Sequence, residues 1–198
     1  NFDASTSNEK SKGIRYHYNA RGYLIKEQEA KQGVTGQVYY EVTAMNALGN
    51  VTTFKQGDNR TTTRSYHPDT GLINTIVAGN QGAIQHWSHT YDGLGNLIVR
   101  NNLNGASERF EYDVLNRLTD VYRTINGTEI HTKDLTYADN GNIQTQGQGD
   151  LASSKSYTYD EESAVTQCAN NAGPHAVTTM GTTIYCYDLN GNQILSKN

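Results

Sequence analysis

The chain has 198 residues, a formal net charge of −4, 35% hydrophobic residues and a mean hydropathy of −0.73. No basic stripe is present to track nucleic-acid phosphates, and no apolar run approaches the ~20 residues that span a bilayer as a helix. The 14 Tyr and 19 Gly against only 2 Pro also exclude a disordered composition and favour strands joined by tight turns.

The first dozen residues read as irregular: Asn1-Phe2-Asp3-Ala4-Ser5 has neither the charged start nor the apolar stretch of a secretory signal. Without an initiator Met, the chain reads as an excerpt of something longer. From residue 14 onward one pattern recurs: Tyr, Asp or Asn, two variable residues, Gly, one residue, then an aliphatic. In chain order it appears as Tyr18-Asn19-Ala20-Arg21-Gly22-Tyr23-Leu24, Met45-Asn46-Ala47-Leu48-Gly49-Asn50-Val51 and, with one extra residue, Tyr66-His67-Pro68-Asp69-Thr70-Gly71-Leu72-Ile73. The fullest copy, Tyr91-Asp92-Gly93-Leu94-Gly95-Asn96-Leu97, precedes Tyr112-Asp113-Val114-Leu115-Asn116-Arg117-Leu118 and Tyr137-Ala138-Asp139-Asn140-Gly141-Asn142-Ile143. Tyr159-Asp160-Glu161-Glu162-Ser163-Ala164-Val165 lacks the glycine, and Tyr187-Asp188-Leu189-Asn190-Gly191-Asn192 ends the series. The turn positions 22, 49, 71, 95, 116, 141, 163 and 191 are spaced by about 24 residues, a period typical of repeat architectures. The repeats leave no room for a separate second domain, so residues 1–13 are expected as an irregular segment and 14–198 as about eight repeats. Ala169–Thr179 is expected to be irregular as well.

The spacing has a physical reading. Asp or Asn at the first position and Gly at the fourth suit a type I turn followed by a left-handed residue, the G1 bulge that closes a short hairpin. Asn116 is the next-best residue for that conformation, and Ser163 a poor one. This geometry places each Tyr across the ladder from the aliphatic two past the glycine: Tyr91 with Leu97, Tyr112 with Leu118, Tyr137 with Ile143. Pairs such as Tyr16/Tyr18, Phe110/Tyr112, Leu135/Tyr137, Tyr157/Tyr159 and Tyr185/Tyr187 then share one face, because strand residues two apart do. A lone hairpin cannot bury such a face, so successive units should pair edge to edge. The expected fold is all-β: tandem hairpins in a curved, spiralling antiparallel sheet, a partial shell or barrel.

The Tyr-Asp-x-x-Gly-x-Leu copies resemble YD repeats, also called RHS repeats, over residues 14–194. Gly173-Pro174-His175-Ala176-Val177-Thr178, followed by Tyr185-Cys186-Tyr187-Asp188, is similar to a stretch near the end of bacterial RHS proteins. The family includes Tc toxin B–C components and polymorphic RHS toxins, whose repeats coil into a hollow cocoon around a toxin domain, and is related to the shells of animal teneurins. The resemblance implies a wall segment that encapsulates or scaffolds a toxin-like cargo in a secreted or cell-surface bacterial protein. Its partners would be the remainder of a longer repeat polypeptide or the enclosed cargo, with no cofactor. The family's self-cleaving segment after the repeats is not recognised here, so neither self-cleavage nor toxicity carries over. The alternative is an extracellular carbohydrate-binding or adhesion module with Trp87, the only Trp, as a glycan platform.

Other features read as structure rather than chemistry. Asp69-Thr70-Gly71 matches the triplet of aspartic proteases, but it stands at a repeat turn and catalysis needs a second carboxylate. His86 and His89, three apart on a strand, point to opposite faces, and His89 occupies the slot two before Tyr91. Asp188-Leu189-Asn190-Gly191-Asn192 has glycine too early for a calcium loop. Asn50, Asn59 and Asn126 head glycosylation sequons of the number chance supplies. No phosphate-binding glycine loop or nucleophile elbow occurs, and no enzymatic activity is expected. Cys168 and Cys186 fit no metal spacing; they are either free thiols or one cross-strand disulfide, which would imply an oxidising compartment.

Overall fold

A computed structural model describes residues 13–30, 36–103, 105–151, 153–159 and 173–198. They form an all-β chain of sixteen strands and two single 3₁₀ turns. The strands are β1 (Gly13–Tyr18), β2 (Leu24–Ala30), β3 (Val38–Met45), β4 (Val51–Gln56), β5 (Thr61–Tyr66), β6 (Ile73–Ala78), β7 (Gln85–Tyr91) and β8 (Leu97–Asn102). They continue with β9 (Ser107–Tyr112), β10 (Leu118–Ile125), β11 (Thr128–Tyr137), β12 (Ile143–Gly147), β13 (Ser154–Tyr159), β14 (Val177–Met180), β15 (Thr183–Tyr187) and β16 (Gln193–Lys197).

The chain divides into two compact units. One runs to His89 and includes residues 102–104; the other holds Thr90–Asn101 and the residues from Gly105 onward. In each, strands pair antiparallel with their neighbours in the chain, which is the edge-to-edge addition of hairpins expected from the repeat.

The register follows the turn chemistry. Tyr18 pairs with Leu24, Met45 with Val51, Tyr66 with Ile73, Tyr112 with Leu118 and Tyr137 with Ile143. A register shift falls beside each of these pairs, because the turn delivers one extra residue to the outgoing strand. Two expectations near the end of the chain need correction. Val177–Thr179, expected to be irregular, lies in β14, and Tyr159 pairs there with Val177. Val177 thus takes the aliphatic position assigned to Val165, which with Ser163 and Cys168 lies outside the described residues. A β-branched residue that completes the ladder opposite a repeat Tyr outweighs the Gly-Pro just before it.

The pairing sorts side chains onto two faces. In the second unit, Phe110, Tyr112, Val121, Tyr137, Tyr157, Tyr159, Tyr185 and Tyr187 share one face. The other carries Arg109, Glu111, Asp120, Tyr122, Thr136, Thr145, Thr158 and Thr179. Most tyrosine-face residues are only half-buried, as expected of a sheet whose apolar side carries no second layer among the described residues.

Candidate functional site

The recurring chemistry sits at the hairpin tips and in the bonds that tie one hairpin to the next. In five tips the leading Asp or Asn accepts two backbone N–H groups on its Oδ1: Asn19 from Arg21 and Tyr23, Asn46 from Leu48 and Asn50, Asp92 from Leu94 and Asn96, Asp113 from Leu115 and Arg117, Asp188 from Asn190 and Asn192. The leading residue's own carbonyl accepts the N–H of the turn residue three later, at 3.2 Å for Gly95 and 2.9 Å for Asn116. A carboxylate or amide two atoms from the backbone is the right length for this Asx arrangement, which explains why either Asp or Asn serves there. The turn residue is left-handed, with φ of 91° at Gly95 and 61° at Asn116. Gly71 has φ 71°, and its N–H donates to His67, one residue further back than in the other turns, which absorbs the extra residue of the third repeat.

These bonds favour the ionised form of the tip carboxylates. Hydrogen bonds from Asn96, chiefly its side-chain amide, hold the Asp92 carboxyl below the usual carboxylate range. The backbone N–H and guanidinium of Arg117 do the same for Asp113, and Asn192 does so for Asp188.

The residue after the turn glycine couples neighbouring tips. Asn96 Nδ2 donates to Asp92 of its own turn and to Asn116 Oδ1 of the next, both at 2.9 Å. Arg117 Nε donates to its own Asp113 at 2.7 Å, and its Nη1 to the carbonyl of Ala138 in the following turn at 3.2 Å. Its guanidinium lies 4.6 Å from the Tyr137 ring centroid. Asn142 Nδ2 continues the series to the Pro174 carbonyl at 2.7 Å. In the first unit the Tyr23 hydroxyl takes the same place, so close to Gly49 that an added Cβ would stand 2.8 Å from it.

A second tie runs through the tyrosines. Tyr66 Oη donates to the carbonyl of Val51, Tyr112 to Leu97, Tyr137 to Leu118, Tyr159 to Ile143 and Tyr187 to Val177, at 2.7–3.0 Å. Each acceptor belongs to the aliphatic that pairs with the preceding repeat's Tyr or takes that position. Each of these five tyrosines therefore stands in the ladder of its own hairpin and bonds its hydroxyl to the hairpin before. Burial raises the phenol pKa of Tyr112, Tyr137, Tyr159 and Tyr187 above the ordinary value.

On the opposite face, hydroxyl pairs bridge strands one residue before the repeat Tyr: Ser65 with Thr75, Thr136 with Thr145 and Thr158 with Thr179, at 2.6–2.7 Å. Arg109 lies 3.8 Å from the Tyr122 ring centroid and bonds Glu129 and Glu111, and Tyr122 stacks on His131 at 4.6 Å. His131 Nε2 sits 2.9 Å from Asp120 Oδ1 without the alignment of a hydrogen bond. An open groove of about 430 Å³ lies between the fourth and fifth tips, lined by Asp92, Leu94, Asn96, Ile98, Phe110 and Tyr112 among others.

The remaining sequence candidates fall into place around this frame. Trp87 is half-buried and pairs with Ile76, which puts it on the tyrosine face of its unit. His89 Nδ1 lies 3.2 Å from the Asn74 carbonyl, and no group of His, Cys, Asp or Glu among the described residues could hold a metal. Cys186 is 1% exposed on β15, and no cysteine among the described residues is free. Asn126 and Gly127 form the two-residue tip joining β10 to β11, both with positive φ (51° and 80°), as a type I′ hairpin requires. Asn-Gly between two strand patterns is a strong hairpin signal. Reading Asn126 only as a sequon missed it. The inter-tip role of Asn96, Arg117 and Asn142 left no sequence signal beyond a recurrent long polar residue after the turn glycine.

No family model matches the sequence, and no curated protein does. Solved structures do. The chain superposes on TcdB2-TccC3-Cdc42 with a TM-score of 0.65 and 17% identity over 91% of its length. It superposes on the Tc holotoxin pore of Photorhabdus luminescens carrying a TccC3 mutation with a TM-score of 0.65 and 16% identity over 91%. A third structure, TcdB2-TccC3-TEV, gives 0.61 and 17% over 92%. The fold is that of a YD/RHS-repeat sheet. The chain spans only 11–12% of the length of these chains. Among the described residues no helix is long and apolar enough to cross a membrane.

Proposed function

We propose that this chain is a wall segment of a secreted bacterial YD/RHS-repeat shell that encloses or scaffolds a toxin-like cargo domain. The observation that carries the reading is the Tyr hydroxyl bonded to the carbonyl of the preceding hairpin, repeated at Tyr66, Tyr112, Tyr137, Tyr159 and Tyr187. A two-stranded hairpin is marginal on its own and needs a third strand or more with an apolar face to be stable, and these bonds make each unit lean on the one before it. The result suits a continuous barrier. The likeness to TcdB2-TccC3 supports the same role, and the cargo, the secretion and the longer polypeptide are inferred from it.

The test is protease protection in the full-length parent polypeptide. The domain beyond the repeats should resist added protease in the intact protein and become cleavable when Tyr112 and Tyr137 are both changed to Phe. Equal cleavage of that domain in the intact protein and in the isolated domain would overturn containment.

A further inference from the structure

We propose that Asn126 is a built-in site of spontaneous covalent modification, converting to aspartate and isoaspartate through a cyclic imide far faster than the other Asn-Gly pairs of the described repeats. The chemistry needs a backbone nitrogen free to attack. The Gly127 amide nitrogen loses its proton and bonds the side-chain Cγ of Asn126, the Cγ–Nδ2 bond breaks, and ammonia leaves. Water then opens either carbonyl of the ring, restoring the main chain as aspartate or routing it through the side chain as isoaspartate. No oxidant, reductant or further reactant enters.

Three described Asn-Gly pairs allow an internal comparison, since all are exposed. At Asn140-Gly141 the Gly141 N–H donates to the Ala138 carbonyl at 2.9 Å, and Asn140 Oδ1 accepts from Asn142 N at 3.1 Å. At Asn190-Gly191 the Gly191 N–H donates to the Asp188 carbonyl at 3.0 Å. An amide proton held by a carbonyl is harder to remove, and the nitrogen cannot turn toward Cγ without opening the turn. In both cases the bond is the one that closes the repeat turn, so the repeat fold itself guards these glycines. Asn126-Gly127 is a two-residue tip between Ile125 and Thr128. The second central residue of such a tip donates to nothing, and neither Gly127 N–H nor the Asn126 side chain has a partner among the described residues. Glycine at 127 puts no side chain in the path of ring closure, and an added Cβ would meet nothing within 4 Å.

The consequence is local. Isoaspartate adds a methylene to the main chain of a loop that has only two residues, and a new carboxylate appears near Glu129, which pairs with Thr124 at the same strand end. The β10–β11 ladder would open from its tip.

The experiment is peptide mapping of the whole chain held at mildly alkaline pH in heavy-oxygen water, which labels each newly made carboxylate. The folded protein and the protein in strong denaturant are followed in parallel. In the folded protein Asn126 should convert about tenfold or more faster than Asn140 and Asn190, the factor that one lost turn hydrogen bond corresponds to. In denaturant the three rates should converge. Conversion of Asn140 or Asn190 as fast as Asn126 in the folded state would overturn the proposal. So would the same rate order surviving denaturation, since the selectivity would then come from neighbouring sequence rather than from the turn bonds.

Discussion

Tyr112 Oη lies 2.9 Å from the carbonyl oxygen of Leu97, so the aromatic that opens the fifth turn is hydrogen-bonded to the residue that leaves the fourth. The ring also faces Leu118 across its own ladder. One side chain therefore serves two hairpins, by packing in one and by a hydrogen bond to the other. Burial of the ring raises its pKa and keeps the hydroxyl a donor through neutral pH.

Changing Tyr112 to Phe should remove the bond and leave the ring in place. A half-buried carbonyl without its donor costs about 1 kcal/mol. For a chain of this size that corresponds to a fall of roughly 2–4 °C in Tm. The double change at Tyr112 and Tyr137 should cost about the sum, since the two hydroxyls bond different carbonyls. Differential scanning calorimetry measures both, and an unchanged Tm in the double variant would remove the tyrosine tie from the account.

Glycine substitutions should separate conformation from crowding. Gly141 has φ 86° with nothing within 4 Å of an added Cβ, so Gly141→Ala tests the left-handed backbone alone, at a cost of about 1–2 kcal/mol. Gly149 has φ 58°, and its Cβ would stand 2.2 Å from the carbonyl oxygen of His131. Gly149→Ala should therefore cost distinctly more, because a backbone atom cannot step aside. Urea titration of the two variants gives the order, and equal midpoint shifts would contradict it.

The turn carboxylates predict an acid limb of stability. Asp92, Asp113 and Asp188 have folded-state pKa values held below the ordinary carboxylate value by their turn hydrogen bonds. The unfolded chain therefore takes up protons first as pH falls, and their contribution is present above the ordinary Asp range and lost on acidification through the folded values. The half-buried tyrosines act at the other end. Their folded pKa values are raised, so their contribution is complete below about pH 10 and fades as pH rises through the folded values. Asp92→Asn keeps an Oδ1 acceptor, as Asn19 and Asn46 show, and removes one titrating group. Its Tm should therefore depend less steeply on pH between neutrality and acid than that of the unaltered chain.

Much of this was legible in the residues because the turn has strict needs. Asp, then Gly three later, fixed where the tips fall, and the bulge fixed which aliphatic meets which Tyr. The bonds between tips were not legible, because Asn96, Arg117 and Tyr23 meet the next turn through different groups and share only a position. Nor was the opposite face: Thr136 and Thr145 read as ordinary strand residues until the register set their hydroxyls 2.6 Å apart. The seventh repeat misled for a local reason. Val165 stands at the right spacing from Tyr159, yet the strand that pairs with Tyr159 starts at Val177.

The remaining prediction concerns Cys186, which faces Leu195 across the β15–β16 ladder and is 1% exposed. Its partner is expected to be Cys168, the only other cysteine of the chain. A crosslink there would hold the long connection between β13 and β14 to the last hairpin, where the repeat spacing is at its widest and the turn glycine is missing. Closing a loop of this length contributes about 3 kcal/mol, mostly by restricting the unfolded chain. Peptide mapping without reductant should recover a single peptide pair joining Cys168 to Cys186. The double change to Ser should lower Tm by more than the Tyr112→Phe variant does. If alkylation without reductant labels both cysteines stoichiometrically in the unfolded protein, they are separate thiols, and the last hairpin is held by its hydrogen bonds alone.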